Sequence, residues 1–122
     1  MAAAGPIFRL FRGAEWRAFA DAGVFDGSAD DRRDGFIHMS TAGQAEETRA
    51  KHYADVADLV VAAFDASVLG GSIRWEPSRG GALFPHVYGR LAREALIGAA
   101  VVGAEGLEAA LARALTGATL PA

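Results

Sequence analysis

Residues 70–91 (GGSIRWEPSRGGALFPHVYGRL) are the part of the chain that most restricts how it can fold. This segment concentrates arginines, a glutamate, a histidine, a tyrosine and five glycines, while the rest of the chain is rich in alanine, valine and leucine. Polar side chains of this kind are costly to bury without partners, and glycine permits sharp changes of chain direction. We therefore expect a ligand-facing loop that is held by strands on either side.

A second segment of the same character, DGFIHMST at residues 34–41, contains His38, Ser40 and Thr41. We predict a short buried strand over 36–39 that places the His38 imidazole at a cleft, where it exchanges a hydrogen bond with a ligand hydroxyl. Ser40 and Thr41 then either contact the same ligand or cap the next helix. The alternative is a half-buried strand histidine followed by a capping threonine. The functional interpretation requires the two segments to face each other.

Periodicity of the apolar residues predicts the fold class. Apolar runs predict strands at residues 7–11, 36–39, 58–65, 72–76, 83–88 and 96–102. Apolar spacing and capping signals predict helices at residues 14–22, from 41 to about 53, and along the leucine stripe Leu107, Leu111 and Leu115. No repeat or linker divides the 122 residues, so we expect one domain over residues 1–122. The sequence predicts an α+β domain with about six short strands and three helices.

The distribution of charge restricts the class of ligand. A net charge of −3 argues against non-specific binding to nucleic acid, which depends on neutralising phosphates with basic side chains. Residues 21–34 carry a local charge of −3, whereas residues 72–94 carry +2. A small anionic ligand near the second region is therefore electrostatically favourable, and a long polyanion is not. We expect no nucleic-acid partner.

Three features bear on the location of the protein. The chain has no cysteine, which excludes disulfides and thiolate-bound metals and suits a reducing cytoplasm. Its start, MAAAGPIF, lacks the basic residues and the apolar core of a signal peptide. The longest apolar run, residues 95–102, is less than half of the roughly 20 residues that a membrane span needs. We expect a cytoplasmic protein that does not contact a membrane.

His86 and Tyr88 are the second group of candidate site residues. If residues 83–88 are extended, these two side chains share one strand face and can line one wall of a pocket. The alternative is a loop histidine beside an ordinary core tyrosine. The glycines that flank this segment imply special backbone geometry, and this leaves the two interpretations level.

Arg74, Glu76 and Arg79 are the third group. Arg74 and Glu76 share a face of the predicted strand over 72–76, and Arg79 follows the turn that comes after it. Two arginines near a histidine can hold a phosphate or pyrophosphate by charge-assisted hydrogen bonds. The alternative is a surface ion pair between Arg74 and Glu76, which contributes little. Trp75 points the other way and is expected in the core.

Other catalytic patterns are missing from the sequence. His38, His52 and His86 with Glu76 offer ligands for zinc, but the chain contains no HxxxH or HExxH spacing. It also contains no GxGxxG or GxxxxGK[ST] phosphate loop and no GxSxG nucleophile elbow. We therefore expect a site without a metal.

The two polar segments also carry a family resemblance. DGFIHMST (34–41) and RWEPSRGGALFPHVYGRL (74–91) together resemble the signature of the domain-of-unknown-function 952 family of small bacterial proteins. The resemblance extends over IFRLFRGAEWRAFADAGVFDGSADD (7–31) and DLVVAAFDASVLG (58–70), and so covers nearly the whole chain. The family is similar, more distantly, to the ADP-ribosyltransferase fold. Within that group it is similar to the NAD-dependent RNA 2′-phosphotransferases, whose His-Leu-Ser strand is matched by residues 37–40 (IHMS).

This resemblance implies a split, mostly antiparallel β-sheet that grips NAD in a central cleft. It implies that His38 binds the nicotinamide ribose, that His86 comes from a later strand of the site, and that Arg74 or Arg79 contacts phosphate. The implied chemistry is NAD-dependent transfer of an ADP-ribosyl or phosphate group, with NAD as the cofactor. The chain departs from these relatives because it lacks their extra nucleic-acid-binding half and an alignable His-Tyr-Glu pattern.

Three functions therefore stay open. The first is a protein, enzymatic or enzyme-like, that binds NAD or an ADP-ribose-type nucleotide through the residues named above. The second is a non-catalytic module that senses a nucleotide or small anion in the same pocket. The third is a structural or partner-binding domain that uses the leucine stripe near the C-terminus.

Overall fold

A computed structural model describes residues 5–118 of the protein, without the side chain of Arg79. The strands are β1 (Pro6–Arg12), β2 (Val24–Phe25), β3 (Ile37–His38), β4 (Leu59–Asp65), β5 (Ile73–Pro77), β6 (Leu83–Val87), β7 (Leu91–Ala92) and β8 (Leu96–Val101). The helices are α1 (Gly13–Ala22), α2 (Ala29–Asp34), α3 (Ala42–His52), α4 (Ala66–Leu69) and α5 (Leu107–Leu115). Residues 1–4, which belong to the signal-peptide argument, lie outside this range.

Two antiparallel three-stranded sheets form the framework. The first has the order β1-β4-β8, and the second has the order β3-β6-β5. The two sheets meet at Phe8 of β1 and Ser40, which lies two residues after β3. The amide of Phe8 donates to the carbonyl of Ser40 at 2.7 Å, and the amide of Ser40 donates to the carbonyl of Phe8 at 2.9 Å. Strands β2 and β7 form a separate short antiparallel pair, which packs through Phe25 against Phe11 of the first sheet. This junction brings the end of the His38 strand beside β1.

The first sheet is buried on both faces, which explains the continuous apolar sequence of its strands. On one face, Ile7 and Phe11 pack with Trp16 and Phe19 of α1 in one core cluster. That cluster also contains Ile37 and Val87 of the second sheet. These two residues are register partners and project from the face opposite to His38 and His86. On the other face, Phe8, Leu10 and Val61 pack against α5 and α3, through Leu107, Leu111, Ala45 and Tyr53 among others. The second sheet is thereby anchored by one face, and its other face is free to carry polar side chains.

The predicted α+β class is confirmed, and the predicted strands and helices are found within a few residues of their expected bounds. The expectation of about three helices is wrong, since residues 5–118 contain five. The important omission is α2, whose sequence ADDRRD has no apolar stripe by which a helix is recognised. A capping box makes it helical: the Ser28 hydroxyl accepts from the Asp31 amide, and the Asp31 carboxylate accepts from the Ser28 amide.

The leucine stripe of α5 is a core face. Leu107 and Leu111 are buried, and only Leu115 is exposed. Two of the three leucines are therefore buried inside the protein, and only Leu115 is accessible to a binding partner. In the part of the chain that the structure describes, no helix has the length and apolar character required to cross a membrane.

Candidate functional site

A cleft of about 560 Å³ lies beside the junction of the two sheets. Its walls come from β1, α2, the strand end at 38–40, α3 and β6. The polar side chains that line it are Arg9, Arg12, Glu15, Ser28, Asp30, Asp31, Arg33, Asp34, His38, Ser40, Thr48, His52, Tyr53, Ser78 and His86. Its volume lies within the roughly 300–1,000 Å³ that ligand pockets occupy. The two polar segments of the sequence therefore do meet in space at one cleft.

His38 and His86 face each other across the strand pair that builds this cleft. They are register partners in the antiparallel pairing of β3 with β6, and their ring centroids are 5.6 Å apart. Phe36 packs against both, at 4.7 Å from His38 and, stacked, at 4.0 Å from His86. Opposed residues of neighbouring strands project from the same face of a sheet, so both imidazoles are held by backbone pairing.

Asp31 organises the inner wall of the cleft. Its carboxylate forms a bidentate pair with Arg9 at 3.0 and 3.1 Å, and both side chains are almost completely buried. Burial alone would raise the pKa of Asp31. Hydrogen bonds from His38, the Arg9 charge and the Ser28 amide outweigh burial and hold this pKa well below its usual value of 3.8. Asp31 is therefore a permanent carboxylate at neutral pH.

The His38 ring lies between two carboxylates. Its Nδ1 is 2.7 Å from Asp31 Oδ1, and its Nε2 is 3.0 Å from Asp34 Oδ2. The Asp31 carboxylate also accepts from the His38 amide at 3.1 Å, which fixes the strand as well as the ring. Asp31 is buried but Asp34 is partly exposed at the end of α2, so a ligand can displace Asp34 from Nε2 more easily than Asp31 from Nδ1.

Gly27 explains how α2 comes close enough to supply these carboxylates. Its φ of +109° is one that other residues rarely adopt, and a Cβ at this position would lie 2.9 Å from Asp31 Cβ. Glycine here lets the chain turn directly into the Ser28 cap. The helix then places Asp31 and Asp34 on either side of the His38 ring.

His86 has a different environment. Its Nδ1 is 2.7 Å from Glu76 Oε1, and the same carboxylate accepts from the Tyr88 hydroxyl at 2.8 and 3.1 Å. The ring is nearly buried but borders the cleft. Arg74 lies over the Tyr88 ring, with its guanidinium carbon 4.8 Å from the ring centroid. This row of side chains runs outward from the cleft along one face of the second sheet.

The structure separates the sequence-predicted residues into three groups. His38, His86 and Ser40 line the cleft, and Ser40 Oγ lies 3.0 Å from Thr48 Oγ1. Thr41 caps α3, accepting from the Gln44 amide at 3.3 Å, which is the helix-capping alternative for this residue.

Arg74, Glu76 and Tyr88 lie beside the cleft but outside its lining residues, on the same sheet face as His86. The side chain of Arg79 lies outside the described part of the structure. Trp75 packs against the core, as expected.

Sequence reasoning missed Arg9, Asp31 and Asp34. A recognisable signal existed for Arg9, because an arginine in the middle of an apolar strand (IFRLF) is rarely buried without a partner. The partner could not be identified, since five aspartates lie between residues 21 and 34. Among the side chains that the structure describes, the arginines that line the cleft are Arg9, Arg12 and Arg33, and all three come from outside residues 70–91.

Within residues 5–118, no group of three or more histidine, aspartate or glutamate side chains is arranged to hold a metal ion. The aspartates around His38 are instead engaged by arginines and backbone amides. The arrangement is suited to hydrogen bonding with a polar organic ligand. It offers imidazole groups, hydroxyls and exposed guanidinium groups in one concave surface.

Comparisons with known proteins identify a family and a solved relative. The family described as "Protein of unknown function (DUF952)" matches residues 10–99 of this chain. The crystal structure of protein CC0527 from Caulobacter crescentus is 43% identical, with a TM-score of 0.77, and the match covers 84% of this chain and 92% of that one. The solution NMR structure of the same protein is 44% identical, with a TM-score of 0.71, covering 83% and 89%. A search of curated proteins finds no match. The chain therefore belongs to the DUF952 family, whose function is unknown.

Proposed function

We propose that the protein binds NAD or an ADP-ribose-type nucleotide in the cleft between its two sheets. One observation carries this proposal: two histidines on paired strands, with ring centroids 5.6 Å apart, line the same cleft. A ribose presents adjacent hydroxyls, each of which can both donate and accept a hydrogen bond. Two imidazoles at this separation are suited to such a pair of hydroxyls.

The arrangement of the sheets supports the same ligand class. An ADP-ribosyltransferase-like fold requires a split antiparallel sheet with a nucleotide cleft between its halves. Here two antiparallel three-stranded sheets meet through the Phe8–Ser40 backbone pair, with the cleft beside it. Because fold alone does not establish activity, the weight of the proposal rests on the site.

Arg12 and Arg33 are the side chains proposed to contact the phosphates. Both line the cleft, with side chains 50% and 68% exposed, and they form ion pairs with Glu15 and Asp30, whose side chains are 22% and 71% exposed. Exposed pairs of this kind contribute about 0–1 kcal/mol, so a phosphate can replace the present partner at small cost. Arg9 is unsuited to this task, because its guanidinium is committed to Asp31 in a buried pair. The proposal therefore assigns the phosphate contact, which was expected of Arg74, to Arg12 of β1 and Arg33 of α2.

The proposed chemistry is transfer of an ADP-ribosyl group from NAD. The bond between nicotinamide and ribose breaks, and nicotinamide leaves with the electron pair. An acceptor hydroxyl then bonds to the anomeric carbon and releases its proton to a base in the cleft. The neighbouring carboxylates of Asp31 and Asp34 would stabilise the positive charge that develops on the ribose. A non-catalytic nucleotide-binding function differs only in the absence of this step.

The ligand is tested by calorimetry with ADP-ribose and with NAD. We expect binding by the wild-type protein, and an affinity about 10-fold weaker in His38→Ala, because a hydrogen bond between the imidazole and a ligand hydroxyl is lost. Lys51→Ala, on the exposed side of α3, is the control and should bind normally. Absence of heat with both nucleotides would refute the proposal. Binding without nicotinamide release would assign the non-catalytic function instead.

The phosphate contact has its own matched test. Arg12→Gln should weaken ADP-ribose binding about fivefold to tenfold, whereas Arg17→Gln should leave it unchanged, since Arg17 is exposed on α1 away from the lining residues. The difference between the two variants should shrink as ionic strength rises, because exposed charges are screened by salt. Equal affinities for Arg12→Gln and the wild type would remove Arg12 from the site.

A further inference from the structure

Glu76 joins two side chains that project from β6 and the residue after it. Its Oε1 is 2.7 Å from His86 Nδ1 and 2.8 Å from the Tyr88 hydroxyl, which also lies 3.1 Å from Oε2. The hydrogen bond from His86, followed by that from Tyr88, lowers the pKa of the Glu76 carboxyl. The hydrogen bond to Glu76 raises the pKa of Tyr88, so the phenol keeps its proton and donates. Glu76 is therefore an ionised acceptor with two fixed donors.

An ionised carboxylate can only accept hydrogen bonds, so the short contact requires the proton of the ring to be on His86 Nδ1. In a neutral imidazole, Nε2 then has a free lone pair and acts as an acceptor. The stacked Phe36 ring, with its centroid 4.0 Å away, and the nearly complete burial of His86 restrict rotation of the imidazole. The orientation of Nε2 is thus set by groups outside the cleft.

We propose that Glu76 and Tyr88 are positioning residues that fix His86 as the Nδ1–H tautomer and present Nε2 to the cleft as the acceptor for a ligand hydroxyl. This inference rests on the proposed nucleotide function and gives the two residues a different task from ligand contact. In a transfer reaction, Nε2 is the atom that takes the proton of the acceptor hydroxyl as that oxygen bonds to the anomeric carbon.

The two paired histidines then have complementary tasks. Both ring nitrogens of His38 face carboxylates, a geometry in which the imidazolium form donates to both, and this form donates from Nε2 when a ligand replaces Asp34. Among the described contacts, His86 pairs with one carboxylate, that of Glu76, and it also contacts the Phe36 ring and the His38 ring, with Arg74 as its register partner on β5. A donor and an acceptor on opposed strands can hold one hydroxyl each, or the two hydroxyls of one ribose.

The tautomer is measured by long-range ¹H–¹⁵N NMR of the imidazoles without ligand, at about pH 9, where an unperturbed imidazole is neutral. We expect His86 in the Nδ1–H form in the wild type. In Glu76→Gln the amide can donate to Nδ1, so the population should shift towards Nε2–H. Tyr88→Phe leaves Glu76 ionised but removes the hydrogen bond that fixes its position, so the carboxylate can turn away from Nδ1 and the shift should be in the same direction but smaller. Asp34→Asn is the control, which should alter the His38 signals and leave those of His86 unchanged.

A dominant Nε2–H form in the wild type would overturn the inference, and so would an unchanged tautomer in both variants. ADP-ribose affinity gives a second readout: Glu76→Gln should bind about fivefold to tenfold more weakly, because the acceptor for one hydroxyl is lost. Unchanged affinity in a variant with a shifted tautomer would also overturn it. The tautomer is measured without ligand, so it tests the positioning of His86 independently of nucleotide binding. Failure of the wild-type protein to bind nucleotide would refute the proposed function, whereas the NMR result alone decides whether Glu76 and Tyr88 fix the tautomer.

Discussion

Asp31→Asn is expected to lower the free energy of unfolding by about 3–5 kcal/mol, because it leaves the buried guanidinium of Arg9 without a counter-charge. Asparagine keeps one oxygen, which can accept from the Ser28 amide in place of Oδ2, so the cap of α2 is retained. Its NH2 group then replaces Oδ1, so the loss combines the charge pair with the contacts of Oδ1 to the His38 amide and ring. Urea unfolding of the wild type and the variant measures it directly.

Two further variants isolate the cause. Asp30→Asn, one residue away and 71% exposed, should change stability by less than about 0.5 kcal/mol. The double variant Arg9→Met/Asp31→Asn should be more stable than Asp31→Asn alone, because it removes the unpaired charge and replaces it with an apolar side chain of similar length. If the double variant were less stable than Asp31→Asn, the charge pair would not be the origin of the effect.

The same carboxylate makes stability depend on acid. The folded-state pKa of Asp31 is held below its usual value of 3.8, so the unfolded chain takes up a proton here before the folded protein does. The stabilisation is thus fully present above about pH 5 and is lost as the pH falls through 3.8 towards the lower folded-state pKa. Asp31→Asn should accordingly lose less stability between pH 5 and 2 than the wild type does.

The sequence was a good guide to elements that bury apolar side chains. Strand β4 has seven residues that are nearly all apolar, and its prediction needed no tertiary information. Helix α2 was missed for the opposite reason, since it is held by a capping box and by its contacts with Arg9 and His38 instead of an apolar stripe. Its signal was the Ser28-to-Asp31 spacing, which is short and common in loops as well.

The site was predictable in part. His38 and His86 could be selected because histidines are few and these two lie in segments rich in polar groups and glycine. Their direct opposition could not be derived, since it depends on the register of β3 with β6, which are separated by more than 40 residues. The site arginines were expected at Arg74 and Arg79; Arg74 lies outside the cleft lining, the side chain of Arg79 is not described, and the fold brings Arg12 and Arg33 from β1 and α2. Electrostatic reasoning along the chain fails where distant segments supply the wall.

Phe11→Ala is expected to cost about 3–5 kcal/mol of the free energy of unfolding, comparable with the loss at Asp31. The Phe11 side chain is completely buried, and its ring lies 5.0–5.8 Å from those of Phe25, Trp16 and Phe19. Truncation removes ring contacts with β2 and α1 together, in a core where the surrounding backbone has little room to collapse. Because total stability of such domains is about 5–15 kcal/mol, the variant should still fold, and chemical denaturation can measure the change.

Phe36→Ala is the matched comparison, because it removes the same ring from the site face of the second sheet. Phe36 is only half-buried, so we expect a loss of about 1 kcal/mol. Its ring touches His38, His86 and Tyr88, however, so the imidazole resonances and ADP-ribose affinity should change in this variant. Phe11→Ala should leave both unchanged under conditions where it is folded. Equal stability losses in the two variants would show that the site face of the second sheet stabilises the fold as much as the aromatic core does. That result would contradict a division of the molecule into an aromatic core on the first sheet and a polar site face on the second.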